Sequence, residues 1–204
     1  MLEDVNLTEV SADHFAAEGW LVLDNFADPA ISFALHELIT ARAHAGVLRK
    51  AGIGRQDEYK VEESRRGDWI EWVDPEMPEG SVSSLVEHIE KVRAFLNRTL
   101  FLGLVDFEMH FTMYPVGTYY ERHSDRHRSG STRRVSFVLY LNPDWKPGDG
   151  GELVIYPPGR EQVSVEPLFG RLALFLSELE HEVLKTHIRR ISTTGWMRER
   201  NTAL

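Results

Sequence analysis

Up to about Leu100 the apolar positions recur mostly at helical spacing; beyond it they fall into short strand-like runs separated by turns. Ser11–Gly19 predicts a short helix closed by its glycine, and Trp20–Phe26 a strand. Asp28-Pro29 reads as the N-cap and first position of a helix in which Ile31, Leu35 and Leu38 form the apolar stripe, with Gly46 as its stop. Arg49–Gly67 is dense in charge and almost without apolar periodicity, which predicts a solvated loop or a mobile loop at an active-site mouth. Asp68–Val73 alternates as a strand does. Leu85, Ile89, Val92 and Leu96 mark a second amphipathic helix, with Ser84 and Glu87 as a capping box at its start. Strands are then predicted in Val105–Tyr114, Tyr119–Asp125, Val135–Leu141, Glu152–Tyr156, Val163–Val165, Leu172–Ser177, His181–Lys185 and Ile191–Met197. Helices first and strands afterwards is an α+β order. The economical packing is a jelly-roll-like double sheet with N-terminal helices on one outer face.

Composition narrows this only a little. A chain of 204 residues holds one substantial core, and without a linker, repeat or low-complexity tract it reads as one domain over 1–204, with support in 1–100 and the β core in 101–204. A formal charge of −9 argues against a nucleic-acid partner. The absence of cysteine excludes disulfides, thiolate metal sites and cysteine nucleophiles. No apolar stretch is long enough to span a bilayer and the N-terminus lacks a signal-peptide pattern, so a cytoplasmic protein without membrane contact is expected.

The chemistry is concentrated in two segments, MYPVGTYYERHSD at Met113–Asp125 and HEVLKTHIRRISTTGW at His181–Trp196. On a strand, His123 and Asp125 would point to one face and grip one ion together. His181 would add a second imidazole. Two histidines and a carboxylate, leaving coordination positions open, suit non-haem Fe(II). Arg190 follows His181 by nine residues, and a strand there would put Arg190, Ser192, Thr194 and Trp196 on one face. A cationic face inside a small barrel is costly unless an anion occupies it, and a guanidinium suits a carboxylate. Each piece has a plainer reading: Asp125 as a cap on the following turn, a strand histidine bonded locally, an arginine in solvent.

Together with RRVSFVLYLNPDW, GDGGELVIY and EPLFGRLALFLSELEHEV, these segments resemble, in order, the Fe(II)/2-oxoglutarate-dependent prolyl hydroxylase domain proteins, the hypoxia sensors and their bacterial relatives. The resemblance runs from about Arg66 to the C-terminus. It implies a double-stranded β-helix with supporting N-terminal helices. It implies Fe(II) on His123, Asp125 and His181, and the distal carboxylate of 2-oxoglutarate on Arg190 with a hydrogen bond from Tyr140. Tyr114 would line the cosubstrate pocket and Trp196 its wall near the metal. O2 would be the second cosubstrate, with L-ascorbate supporting activity. The implied substrate is a prolyl residue in a cytoplasmic protein or peptide, elongation factor Tu being the candidate the bacterial relatives offer. The protein would act as a monomer or weak homo-oligomer.

Three features stand apart from that pattern. His127 and His187 are spare imidazoles beside the ligand segments; His123 is preferred for its spacing to Asp125, and His181 for its HEV context and the step to Arg190. RHRSGSTRR after the metal pair is strongly basic, either a solvated turn or a contact for an acidic partner. The RGD triplet at Arg66–Asp68 is read as chance. Other readings of the whole are the same chemistry on a small molecule or another side chain, and a non-catalytic cupin-like barrel that binds a metal or ligand.

Overall fold

A computed structural model describes residues 7–52, 65–126 and 131–200. The elements in chain order are α1 (Glu9–Glu18), β1 (Trp20–Leu23), α2 (Pro29–His44), β2 (Arg49–Lys50), β3 (Trp69–Trp72), α3 (Gly80–Leu100), β4 (Leu104–Tyr114), β5 (Tyr120–His123), β6 (Arg133–Tyr140), β7 (Leu153–Tyr156), β8 (Val163–Val165), β9 (Leu172–Leu176), β10 (Glu180–Val183) and β11 (Arg190–Glu199). No helix of the described residues is long and apolar enough to cross a membrane.

Local signals set the helix ends, with two departures from expectation. Asp28 caps α2 through a bond from the Ala30 N–H at 2.7 Å, with Pro29 at the first position. The fully buried stripe of α2 is Ser32, Leu35 and Ile39, while Ile31 and Leu38 lie only half-buried at its border. Helix α3 buries Leu85, Ile89, Val92 and Leu96 as expected, but it begins at Gly80 after Glu79, which makes no side-chain cap. Ser84 and Glu87 therefore lie inside the helix, and the capping-box spacing there is coincidental. The genuine capping box is at α1, where Thr8 and Ser11 bond reciprocally.

The strands form two antiparallel sheets. The larger runs β1-β9-β6-β11-β4-β3-β2 and the smaller β5-β10-β7-β8. The two facing sheets make the double-stranded β-helix architecture expected above. Alternation along the central strands divides the interior. Phe111, Phe137, Leu139, Leu174, Ile191 and Met197 point to the helices and form one core with their apolar faces. Tyr140, Val138, Ala173 and Phe175 point to the smaller sheet and pack on Leu153, Ile155 and Val165. Strand β11 lies between β4 and β6, paired with both along most of its length. Its register puts Arg190 opposite Tyr114, Ser192 opposite Thr112 and Tyr140, and Thr194 opposite His110 and Val138, so these side chains all face the space between the sheets.

Gly195 is what lets β11 fit between its neighbours. A Cβ there would stand 2.7 Å from Met109 Cβ and closer still to the ring of Phe137 and the Glu108 carbonyl. Gly195→Ala is expected to overpack the helix-side core and cost about 1–3 kcal/mol, read as a lowered thermal midpoint. An unchanged midpoint would mean that β11 gives way locally.

Candidate active site

Strands β5 and β10 lie side by side in the smaller sheet with His123 opposite His181. The imidazole of His123 turns its Nδ1 to the Glu121 carbonyl at 2.8 Å, and His181 turns its Nδ1 to the Leu179 carbonyl at 2.9 Å. A carbonyl only accepts, so both Nδ1 atoms carry the proton and both Nε2 atoms present lone pairs. Asp125 is not on the strand: β5 ends at His123, and the carboxylate stands in the bend beyond it. Ser136, from the larger sheet, brings it to the imidazoles by donating to Oδ2 at 2.7 Å, and Ser136 shares a second bond with Ser177 at 2.9 Å. Asp125 Oδ1 lies 3.7 Å from His123 Nε2, and Oδ2 lies 3.5 Å from His181 Nε2. One ligand atom from each residue lies within 4.8 Å of the others.

The electrostatics prepare these groups for a cation. Burial, and then the neighbouring His181, push the His123 imidazole toward its neutral form despite the pull of Asp125. Burial works against ionised Asp125, but His181, His123, the Ser136 hydroxyl and the Trp196 indole outweigh it and hold the carboxyl below its ordinary range. Two imidazoles offering Nε2 and one ionised carboxylate, with no thiolate, fit a divalent iron.

On the facing wall, Arg190 is 1% exposed and lies between two phenol rings, its guanidinium carbon 5.0 Å from the Tyr114 centroid and 5.0 Å from that of Tyr140. It donates through Nε to the Gly151 carbonyl at 2.8 Å and through Nη1 to Ser192 Oγ at 3.2 Å. Among the described residues no carboxylate pairs with it. Gly151 is required here, because its φ is +79° and a Cβ would stand 2.8 Å from Arg190 Cδ. The Tyr140 hydroxyl is buried without a hydrogen-bond partner among the described residues, and burial pushes its pKa up to about 12, so it stays a donor. A buried cation without a counter-charge beside an unpartnered donor is an anion site.

The RGD triplet has a structural role that its sequence did not disclose. Arg66 and Asp68 form a two-pronged buried pair, at 2.7 and 2.9 Å, and Arg66 also donates to the Gly52 carbonyl at 3.3 Å. The same guanidinium sits 4.7 Å from the Tyr120 ring, and Tyr120 stacks on His123 with centroids 3.7 Å apart at 17°. Desolvation opposes the charge on Arg66, but Asp68 overcomes it and holds the guanidinium firmly protonated. A chain of contacts thus runs from the pair to a metal-facing imidazole. Sequence reading also missed Ser136 and His110. His110, opposite Thr194, is 1% exposed between the rings of Trp72 and Trp196, each 5.3 Å away. Burial, then Arg66, drive its pKa down to about 4.

Trp196 closes the wall between Asp125 and the surface, with Arg133 over its ring at 3.6 Å. Of the spare imidazoles, His187 is exposed and outside the donor cluster, while His127 lies outside the described residues. The described arginines of the basic segment are ion-paired, Arg126 with Glu199, Arg133 with Glu108 and Arg134 with Glu178. The Arg49–Gly67 expectation is tested only at its ends, where β2 pairs with β3; residues 53–64 lie outside the described residues.

Residues 109–198 match the profile of the 2OG-Fe(II) oxygenase superfamily. A Pseudomonas putida prolyl-4-hydroxylase is similar over 94% of this chain and 98% of its own, at 38% identity and a TM-score of 0.85. A prolyl hydroxylase from Trichoplax adhaerens, solved in complex with a hypoxia inducible factor oxygen degradation domain peptide fragment, shares the fold over 93% of this chain and 87% of its own, at 24% identity and a TM-score of 0.83. So does the epimerase SnoN, solved with Fe3+, α-ketoglutarate and nogalamycin RO, over 94% of this chain and 83% of its own, at 12% identity and a TM-score of 0.72. The chain belongs to the 2OG-Fe(II) oxygenase superfamily. More narrowly, it is a 2-oxoglutarate-dependent oxygenase of the prolyl hydroxylase type, working with Fe(II), 2-oxoglutarate and O2.

Two predictions follow from the polar groups behind the site. Asp68→Ala strands the buried Arg66 charge and is expected to cost about 3–5 kcal/mol, whereas Arg65→Ala, which breaks an exposed pair with Glu121, should cost under about 1 kcal/mol. Urea unfolding of the two variants makes the comparison. His110 gives a pH signature. Its folded pKa of about 4 lies below the ordinary imidazole value of 6.5, so the unfolded chain takes up the proton first as pH falls. Its contribution to stability is complete above pH 6.5 and is lost toward pH 4, by about 3 kcal/mol in all. His110→Phe should lose less stability than the wild type between pH 7 and about 4.5, and parallel curves would refute that assignment.

Proposed function

We propose that this oxygenase hydroxylates a prolyl residue of a cytoplasmic protein, elongation factor Tu being the first candidate. The proposed iron ligands are His123, Asp125 and His181. Arg190 binds the distal carboxylate of 2-oxoglutarate with Tyr140 as a second donor, Tyr114 lines that pocket, and Trp196 forms its wall near the metal. The observation that carries the site assignment is the buried, uncompensated Arg190 guanidinium facing the same inter-sheet space as the three convergent donors. The prolyl reading is supported by 38% identity to the Pseudomonas putida prolyl-4-hydroxylase over 98% of that chain.

Each chain residue has a definite task in this scheme. His123 and His181 enter with Nδ1 protons already committed to carbonyls, so their Nε2 lone pairs need no deprotonation. Ser136 fixes Oδ2 of Asp125, the oxygen nearest His181, and leaves Oδ1 facing His123. Arg190, held by Gly151 and Ser192 between two phenol faces, offers its remaining N–H groups to a carboxylate with little loss of freedom. Bound Fe(II) supplies O2 activation coupled to oxidative decarboxylation of the cosubstrate. One oxygen atom ends in the substrate hydroxyl, the other in succinate, and CO2 leaves. The apolar wall of Phe175, Val138 and Tyr140 keeps water from the reacting groups.

The test is oxygen-dependent succinate formation with Fe(II), 2-oxoglutarate and ascorbate, with and without cytoplasmic protein extract or purified elongation factor Tu. The wild type should be stimulated by protein and should add a single oxygen mass to a prolyl residue. Asp125→Ala should abolish turnover. Arg190→Ala should lower it by about 100-fold or more, and Arg190→Lys, which keeps the charge but not the fork, should fall between. Stimulation by protein with the added oxygen on another residue type would overturn the prolyl assignment alone. No succinate under any condition with iron loaded would overturn the assigned site.

A further inference from the structure

His110 holds the wall beside the site in an unusual hydrogen-bonding state. Its Nδ1 faces the Phe111 carbonyl at 3.3 Å and Thr112 Oγ1 at 2.8 Å, and Thr112 in turn donates to Thr194 Oγ1 at 3.3 Å. The carbonyl can only accept, and the Thr112 proton is spent on Thr194, so the imidazole proton sits on Nδ1. The Nε2 atom is then a bare lone pair. It is buried and has no partner among the described residues. A buried acceptor left unpaired costs about 1–3 kcal/mol.

The surroundings say what the lone pair awaits. Trp72, at the end of β3, meets the imidazole edge-on and is itself 51% exposed, so the group covering His110 has solvent on its other side. Behind the imidazole stands Trp196, whose indole lies close enough to Asp125 to help keep that carboxyl ionised. Trp196 thus touches His110 and also bears on the proposed ligand Asp125. Resting on the prolyl hydroxylase reading above, we propose that His110 is a specificity-determining residue of the substrate pocket. Its Nε2 accepts a hydrogen bond from a peptide N–H flanking the oxidised residue, once the Trp72 indole has turned aside.

The donor must be neutral. Arg66 and Arg133 bear on this imidazole with positive charge that Asp68 offsets only in part, and an ammonium or guanidinium from a substrate would add to that repulsion. A prolyl residue within a chain has no N–H of its own, so the donor comes from a neighbouring residue and reports the direction in which the peptide lies. The contact Trp72 gives up with two rings is replaced by contact with the peptide, and the buried acceptor gains the bond it lacks.

The experiment compares wild type, His110→Leu and His110→Gln, each loaded with Fe(II), for succinate formation stimulated by sub-saturating cytoplasmic extract. Thermal melts and an anaerobic 2-oxoglutarate titration check that each variant is folded and binds cosubstrate. The leucine variant should lose about fivefold to tenfold in stimulated rate, and the gap should narrow as extract is raised toward saturation. Glutamine, whose amide oxygen can stand where Nε2 stood, should recover most of the loss. Equal stimulation of all three proteins would overturn the assignment and leave the proposed function standing. Equal loss in the leucine and glutamine variants would also overturn it, because that pattern marks packing rather than an acceptor. A wild type that no extract stimulates would overturn the protein-substrate reading, and the His110 assignment with it.

Discussion

The register of β11 is the constraint on which the rest of the structure depends. Strands β4 and β6 clamp it on both sides, and side chains alternate between two very different environments. Ile191 and Met197 enter the apolar core under the helices, while Arg190, Ser192 and Trp196 enter the space between the sheets. A slip of one residue would exchange the two sets and drive a guanidinium into the helix-side core. Gly195 enforces the register further, since no side chain fits against Phe137 at that point. The helices matter to the chemistry mainly because they make the wrong register so costly.

Within that space the interior is divided between satisfied and unsatisfied polar groups. Asp125, Ser136, Ser177, Arg66 and Asp68 are all bonded, and they fix the shape of one wall. Among the described residues, Arg190 has no counter-charge, and the Tyr140 hydroxyl and His110 Nε2 have no partners. Buried polar groups are normally paired; orphaned atoms such as Trp20 Nε1 and Thr40 Oγ1 also occur elsewhere, but those grouped beside the three metal-facing donors mark where the protein leaves room for other molecules. Their chemistry differs by position. The guanidinium and phenol call for an anion, and the imidazole lone pair calls for a donor.

Much of this was legible in the chain itself. The helix stripe at Leu85–Leu96, the Asp28-Pro29 start and the strand runs after Leu100 are set by local spacing, and local spacing survives folding. The segments around His123, Asp125, His181 and Arg190 were legible because the residue types are demanding and their order resembles a known family. What could not be read depends on contacts between distant segments. Asp125 reaches the imidazoles through Ser136, eleven residues away on the other sheet, not through strand alternation. Arg66 and Asp68 looked like an accidental triplet because the partner that gives them meaning, Tyr120, lies far along the chain. His110 sat in an unremarkable strand until the register put it between two tryptophans.

The two imidazoles that face the metal position are each tied to a carbonyl two residues earlier on their own segment. Their ring orientation is thus tied to their own chain segments, with Tyr120 and Phe175 packed against them, and not to the wall formed by β3 and β4. A change at Trp72, His110 or elsewhere on β3 and β4 can reshape what the pocket admits without rotating either ring. The fold therefore separates two problems that many active sites must solve together: keeping the reactive centre intact and altering what is brought to it. Substrate preference in such a protein is free to drift by single steps, each tolerated by the centre it serves.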